Sequence, residues 1–388
     1  MSRSSWKEVE LDSIADVVLG GTPSTAIPEY WIPEIDWVTA KDISETTTAK
    51  IHKTERMISK LGLEKSPAKI LPSLTTVIIA RGATMGKCRM LGRAMALKQT
   101  CYGMIAREKY ADPIFLYYYL SNLYDHFRAM AHGTIFDTVI GSGLRALKIN
   151  LPPLPEQRAI AGILGALDDK IELNRRMNRT LESMARAVFR QWFVEDEEIG
   201  DWEIGKLGDV AENIRRSANA DEIEPETHYI GLEHMPRGSI ALSEWGNASE
   251  LASNKFIFKE GEFLFGKLRP YFHKVGIAPI DGVCSTDILV IAPKSPEWYG
   301  FVLGHISSVE LINYTNAAST GTKMPRTNWT DIAHYEVVIP PMKLAKDYNE
   351  IFLPMAQRIR ANIKESRTLA SLRDSLLPRL MRGEVRVK

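Results

Sequence analysis

The chain has 388 residues, 45% of them apolar and 25% charged, with a formal net charge of +1. That is enough chain for two or three domains with sizeable cores. No apolar run reaches the roughly 18–20 residues of a membrane span, and the start, MSRSSWKEVE, has no apolar signal core, so a cytoplasmic, membrane-free protein is expected. The three cysteines, Cys88, Cys101 and Cys284, are odd in number and far apart, which fits reduced thiols and gives neither a disulfide framework nor a zinc motif.

In chain order, Trp6 opens WKEVELDSIADVV, a polar stretch followed by Leu-x-x-Ile-Ala. An apolar stretch ending at Val38 precedes Thr39, Lys41 and Asp42, polar groups placed where they could reach base edges or phosphates. The strand-like Thr76–Ile79 leads into Ala80-Arg81-Gly82-Ala83-Thr84-Met85-Gly86-Lys87. Its glycines allow close backbone approach, and Arg81 and Lys87, with Thr84 between them, suit guanine or phosphate. Lys98 and Gln99 precede a further apolar stretch, and a glutamine at a loop tip can read adenine. Between Gly62 and Arg107 the cations are Lys65, Lys69, Arg81, Lys87, Arg89, Arg93, Lys98 and Arg107, against Glu64 alone. A neutral protein can carry such a basic face, although a solvated surface accounts for the charges equally well.

The rest of the chain repeats the first part. Trp202 opens WEIGKLGDVAENI, the counterpart of the Trp6 segment. Phe265-Gly266-Lys267-Leu268-Arg269-Pro270-Tyr271 stands where the Arg81 loop stands, making Lys267, Arg269 and Tyr271 binding candidates. HGTIFDTVIGSGLRALKINLPPL, from His132, has its counterpart in TGTKMPRTNWTDIAHYEVVIPPM, from Thr320, which adds Thr322, Lys323 and Arg326.

Beyond the prolines the two copies run in register at an offset of 188. Apolar positions recur at steps of four and three through Ile160, Leu164, Leu167, Ile171, Asn174, Asn178, Leu181, Ala185, Val188 and Trp192. The second copy places Tyr348, Phe352, Met355, Ile359, Asn362, Ser366, Leu369, Arg373, Leu376 and Leu380 at the same steps. A period of 3.5 is the seam of helices wound around one another. The polar interruptions match, Asn174 with Asn362 and Asn178 with Ser366, so the two helices are expected to pair in a pseudo-twofold antiparallel arrangement. Pro354 and Pro378 predict a bend and an end in the second helix. From Ile160 to Trp192 a helix runs about 48 Å. The expected fold is mixed α/β: globular domains over 1–150 and 196–338, each followed by a long helix, 151–195 and 339–388.

Catalytic constellations are missing from the sequence. There is no Gly-x-Gly-x-x-Gly, phosphate loop, nucleophile elbow, His-Glu-x-x-His or metal-ligand histidine pair, and no methyltransferase Asn-Pro-Pro-(Tyr/Phe) loop. Asp168-Asp169-Lys170 superficially looks like a nuclease corner but falls mid-helix on the flank of the seam. No catalytic or metal-binding residue is therefore assigned.

The motifs GGTPST…YW…WVTAKDIS, LPPLPEQRAIAGILGALDDKIE and SLRDSLLPRLMRGEVRV resemble the specificity subunits of type I restriction-modification systems over nearly the whole chain. The second copy departs from the most specific piece, with Pro340-Pro341-Met342-Lys343 in place of LPPLPEQ. The resemblance implies a non-catalytic subunit whose two target-recognition domains each read one half of a bipartite site in double-stranded DNA. It also implies that the helices set the spacer and dock two modification subunits, with Leu154, Glu156 and Gln157 as docking candidates. Restriction-translocase subunits join that assembly. This chain would hold no cofactor; S-adenosylmethionine would sit in the modification subunits. The residues alone leave two alternatives open: a scaffold with duplicated protein-binding domains, or a degenerate methyltransferase-nuclease.

Overall fold

A computed structural model of the chain describes residues 6–131, 141–195, 202–249, 251, 253–319 and 324–387. Two compact units emerge, Met1–Glu172 with Leu369–Lys388, and Leu173–Thr368. The two long helices, Leu154–Phe193 and Met342–Met381, have 40 residues each, and the division between the units falls within both of them.

In the first unit, Lys7–Glu10 pairs antiparallel with Lys148–Leu151. A five-stranded sheet runs in the order Ala15–Leu19, Cys101–Ala106, Thr76–Ile79, Cys88–Leu91, Lys50–Ile51. A second sheet of four runs Met57–Ile58, Ile35–Val38, Met95–Leu97, Ile70–Leu71. The central strand Thr76–Ile79 is buried throughout, as its unbroken apolar and β-branched run demands. Behind the five-stranded sheet, the helix Pro113–Ser121 brings Phe115, Leu116 and Tyr117 into the core, together with Ile160 and Leu164 of the first long helix and Leu380 of the second.

The second unit repeats these parts. Glu203–Lys206 pairs with Glu336–Ile339. The sheet Ala211–Ile214, Ile288–Pro293, Phe263–Gly266, Val275–Ile277 has the order of the first four strands of the five-stranded sheet above. Tyr299–Ile306 stands for Pro113–Ser121, and the ring pair Phe301–His305 for Phe115–Tyr119. A further sheet runs Arg216–Ala218, Lys255–Phe258, Gly282–Cys284, His228–Ile230, Gly246–Asn247. The duplication read from the sequence is thus a duplication of elements.

Every position of the 3.5-residue seam is buried or half-buried. Within the second unit, antiparallel pairing puts Tyr348 against Ala185, whose carbonyl accepts the Tyr348 hydroxyl at 3.2 Å. The polar interruptions meet there too. Asn174 donates to Glu365 Oε2 (2.8 Å) and Ser366 Oγ (3.2 Å), and Asn362 donates to Asn178 Oδ1 (2.8 Å). Buried amides that donate across the pair only in one register favour that register, here through the side-chain nitrogens, since Asn362 Oδ1 has no partner among the described residues. The second helix passes unbroken through Pro354, which is exposed, and ends at Met381, one turn beyond Pro378. On the solvent side, the carbonyl freed at Glu350 can turn to water, so this proline interrupts less than its type suggests.

Within the first unit the helices meet through charge. Asp168 accepts from Tyr118 Oη at 2.6 Å and pairs with Arg373 at 2.5 Å, and Arg373 also reaches Asp374 at 2.7 Å. Burial and the neighbouring Asp168 carboxylate together push the Tyr118 phenol upward. The flank of the seam that resembled a nuclease corner is therefore a structural ion pair, with Lys50 reaching Asp169 at 3.7 Å. Replacing Arg373 by Met should destabilise this unit by about 3 kcal/mol, because Asp168 would remain buried without its cation. Urea denaturation of the variant checks this, and a midpoint like that of the parent chain would contradict it.

His305 lies deep in the second unit, ringed by Phe189 at 5.1 Å and Phe301 at 4.5 Å. Burial holds its imidazole down to about 3. An unfolded histidine titrates near 6.5, so the unfolded chain binds the extra proton first. His305 therefore favours unfolding increasingly as pH falls from about 6.5 towards 3. The thermal midpoint of the second unit should drop between pH 7 and pH 4, and drop less in His305→Phe, as scanning calorimetry can measure.

Candidate nucleic-acid interface

The polar segments of the first unit expected from the sequence to bind all leave the C-terminal ends of strands, two of them paired in the four-stranded sheet and the third in the five-stranded sheet. Thr39 follows Ile35–Val38, Arg81 follows Thr76–Ile79, and Lys98 follows Met95–Leu97. Short bonds join them: Lys98 N donates to Val38 O (2.9 Å), Ala80 N to Thr100 O (2.9 Å), and Ser44 Oγ to Thr84 Oγ1 (2.8 Å). Arg81 and Gln99 are exposed, Lys87 is half-buried, and Lys98 Nζ lies 5.6 Å from the Trp37 ring centroid. Among the described residues, neither Arg81 nor Lys87 has an ion-pair partner.

Several of the nearby polar residues serve the fold instead. Asp42 is 8% exposed and accepts from Thr39 N (2.8 Å), Thr39 Oγ1 (2.7 Å) and Glu55 N (2.8 Å). It closes a capping box on the helix Ala40–Glu45, which explains the Thr-x-x-Asp spacing without any ligand. Asp42 is therefore withdrawn as a DNA contact, and Thr39 is its capping partner. Lys41 is exposed but paired with Glu55 at 2.9 Å. The basic stretch is likewise partly consumed. Arg89 donates to Thr46 O and Cys88 O, Arg93 pairs with Asp36, and Arg107 pairs with Asp16.

The docking candidates need the same correction. Gln157 is 1% exposed, takes Asp112 N (2.9 Å) on its oxygen, and donates to Tyr110 O (3.0 Å) and Pro152 O (2.9 Å). Glu156 accepts from Trp6 Nε1 (3.2 Å) and pairs with Arg386 (2.7 Å). Both fix the start of the first long helix to its own unit, so neither is available to a partner. Leu154 is half-buried at the helix start. The second repeat lacks the Glu-Gln pair but fills its role from one turn further along. Asn349 accepts from Gly300 N (2.8 Å) and donates to Pro296 O (2.9 Å) and Glu297 O (2.7 Å).

In the second unit, Lys267, Arg269, Tyr271 and Arg326 come together. Arg269 N donates to Pro325 O (2.8 Å), Thr327 N donates to Lys267 O (3.1 Å), and Arg326 pairs with Asp287 (2.7 Å). Thr322 and Lys323 lie outside the described residues. Burial lowers the Lys267 ammonium, and the positive charges of Arg326 and Arg215 lower it further against the pull of Asp287. Arg237 stacks on the Phe272 ring at 3.9 Å, with Arg269 at 5.9 Å and Lys274 at 6.0 Å from the same centroid. Burial and Arg237 together lower Lys274 as well. Six cations, Lys267, Arg269, Arg326, Arg215, Arg237 and Lys274, set against Asp287 and Glu233 favour an added anion, and Tyr271, 50% exposed, stands at the tip beside them. Sequence reading missed Arg215, Arg237 and Lys274, because only the fold brings the first two to this loop.

The two loops share a backbone. Gly82 and Gly86 have φ of +97° and +86°, and at the corresponding positions Arg269 and His273 have +52° and +51°. Ile79 N donates to Lys87 O at 3.1 Å in the first, and Gly266 N donates to Lys274 O at 2.8 Å in the second. Glycine adopts this region freely, whereas arginine and histidine rarely occupy it. The second loop therefore holds two large cation-bearing or polar side chains in a conformation that the first obtains with glycine. Backbone held this way is characteristic of binding loops.

The described residues contain no group of three or more His, Cys, Asp or Glu that could hold a metal ion, and no described helix is long and apolar enough to cross a membrane. Residues 3–183 match the family described as "Type I restriction modification DNA specificity domain". The chain is 26% identical, over 99% of its length and 94% of the relative, to the type I restriction enzyme MjaIX specificity subunit of Methanocaldococcus jannaschii. It is 21% identical to the HindI specificity subunit of Haemophilus influenzae, over 64% of this chain and 72% of that one. The fold is that of the type I restriction-modification S subunit from M. genitalium, with a TM-score of 0.62 at 17% identity over 98% of this chain and 97% of that one. With its duplicated α/β units and long paired helices, and with residues 3–183 matching a DNA specificity domain, the chain is similar over nearly its whole length to the specificity subunits of type I restriction-modification systems, the components that recognise DNA.

Proposed function

We propose that each α/β unit reads one half of a bipartite site in double-stranded DNA, and that the recognition loops are Ala80–Lys87 in the first and Lys267–Lys274 in the second. The observation that carries this reading is the recurrence of one loop backbone, with free or crowded cations on it, once in each repeat. Arg81 and Lys87 supply the first loop; Lys267, Arg269 and the cations around Phe272 supply the second. Gln99 and Lys98 flank the first loop and join the same surface.

The two long helices act as the ruler of the site. A helix is stiff over this length, and a register set by buried amides resists sliding. Two modification subunits dock on these helices and carry S-adenosylmethionine, while restriction-translocase subunits complete the complex in the cytoplasm. The chain itself contributes recognition and geometry, and its partners contribute the chemistry.

Arg81→Ala and Lys267→Ala should each weaken binding to the cognate duplex by about 1–3 kcal/mol if a base contact is lost. Fluorescence anisotropy with the assembled modification complex measures this, and unchanged affinity in both variants would remove the two loops from the reading surface. Four residues inserted after Arg176 should change the preferred spacer while leaving both half-sites intact. Selection from a duplex library with randomised spacers reads the outcome, and an unaltered spacer would contradict the ruler.

A further inference from the structure

The two repeats differ beside the first recognition loop. Strand Ile35–Val38 of the first unit pairs in parallel with Met95–Leu97, and His228–Ile230 of the second pairs in parallel with Gly282–Cys284. Lys98 N donates to Val38 O at 2.9 Å and Ser285 N to Ile230 O at 3.1 Å, so Trp37 corresponds to Tyr229. On the other edge, the antiparallel registers set Asp36 against Met57 and Tyr229 against Gly246. Arg56 therefore stands opposite Trp37, and its counterpart is Gly246. The second unit has no side chain at this place; the first has a cation.

Arg56 is exposed, and its guanidinium lies over the Trp31 ring, 4.0 Å from the centroid, and 5.5 Å from that of Trp37. Both rings are held in place. Trp37 is buried and donates from Nε1 to Gly21 O at 2.9 Å; Trp31 meets it edge-on at 5.2 Å and donates to Ser24 O at 3.0 Å. Lys98 Nζ shares the Trp37 ring at 5.6 Å. Carboxylates from the same pair of strands are engaged elsewhere, Glu55 with Lys41, Asp36 with Arg93, and Glu34 with the Lys60 amide. Among the described residues, the Arg56 side chain has neither a carboxylate partner nor a hydrogen bond.

We propose that Arg56 grips a backbone phosphate of the first half-site, with Trp31 as the platform that holds its side chain. A long side chain loses rotamer freedom on binding, and a ring beneath the guanidinium reduces that loss. The unused donors of a guanidinium suit the oxygens of a phosphate, two at a time. Arg56 stands by the four-stranded sheet, outside Ala80–Lys87. It is joined to that loop by a chain of backbone bonds: Trp37 N to Arg56 O, Lys98 N to Val38 O, and Ala80 N to Thr100 O. Contacts beside a reading loop go mostly to phosphate and sugar, and they fix position rather than sequence. With Gly246 in this place the second unit cannot make the contact, so the added grip falls on one half-site only. The proposal rests on the reading that Ala80–Lys87 faces DNA.

Fluorescence anisotropy of the assembled modification complex across a salt series tests it, with the cognate duplex and a scrambled duplex of equal length. Arg56→Gln should weaken both complexes by the same factor, about tenfold near 0.1 M salt, and reduce the slope of log affinity against log salt by about one. Arg56→Lys, which keeps the charge, should keep the slope. Arg81→Ala, measured alongside, should weaken the cognate complex more than the scrambled one. A loss confined to the cognate duplex in Arg56→Gln would make Arg56 a base reader and overturn the phosphate assignment. Unchanged affinity and slope in Arg56→Gln, with Arg81→Ala still impaired, would overturn this proposal alone. Both variants unchanged would overturn it together with the reading beneath it.

Discussion

An amphipathic helix of forty residues has to cover its apolar stripe along its whole length, and here neither long helix does so within a single globular unit. The first half of Leu154–Phe193 packs in the first unit with the end of Met342–Met381, and its second half packs in the second unit with the start of that helix. The first unit therefore completes its core with a segment from the far end of the chain, whereas the second is one continuous stretch, Leu173–Thr368. Ile160 and Leu164 share a core with Leu380, and Ala185 and Phe189 share one with Tyr348 and Phe352. Both cores are thus built from the same two helices, each helix serving one unit with one half and the other unit with the other half.

Specificity of the pairing comes from groups that water would otherwise satisfy. Asn174, Asn178 and Asn362 sit in the second unit's part of the seam, and Tyr118, Asp168 and Arg373 on the flank of the first unit's part. Leucine at the amide positions would bury more apolar surface but would tolerate sliding; matched amides do not. The two units thus secure the same helices by different chemistry, one by amides and one by charge. Where the first unit has Asp168 and Arg373, the second has Ala356 and Ala185 at the offset of 188.

Much of this was legible in the sequence because repeats and periodicity are properties of the chain itself. The offset of 188, the seam from Ile160 onward and the Pro-Pro stops all correspond to observed elements. What was not legible depended on partners distant in sequence. Asp42 reads as a loop carboxylate until its three hydrogen bonds are seen, and Gln157 reads as a surface motif until Asp112 and Tyr110 close on it. The shared positive φ of Gly82 and Arg269 is equally silent, because one copy uses glycine and the other does not. Arg237 reaches Phe272 only through the fold.

The central claim is that one chain carries two readers at a fixed separation. It is tested most directly by co-expressing the chain with its modification subunit and mapping methylated adenines across the host genome by single-molecule sequencing. The account predicts a split motif, two short defined sequences around a gap of constant length. A continuous motif, or two half-sites at variable spacing, would contradict it.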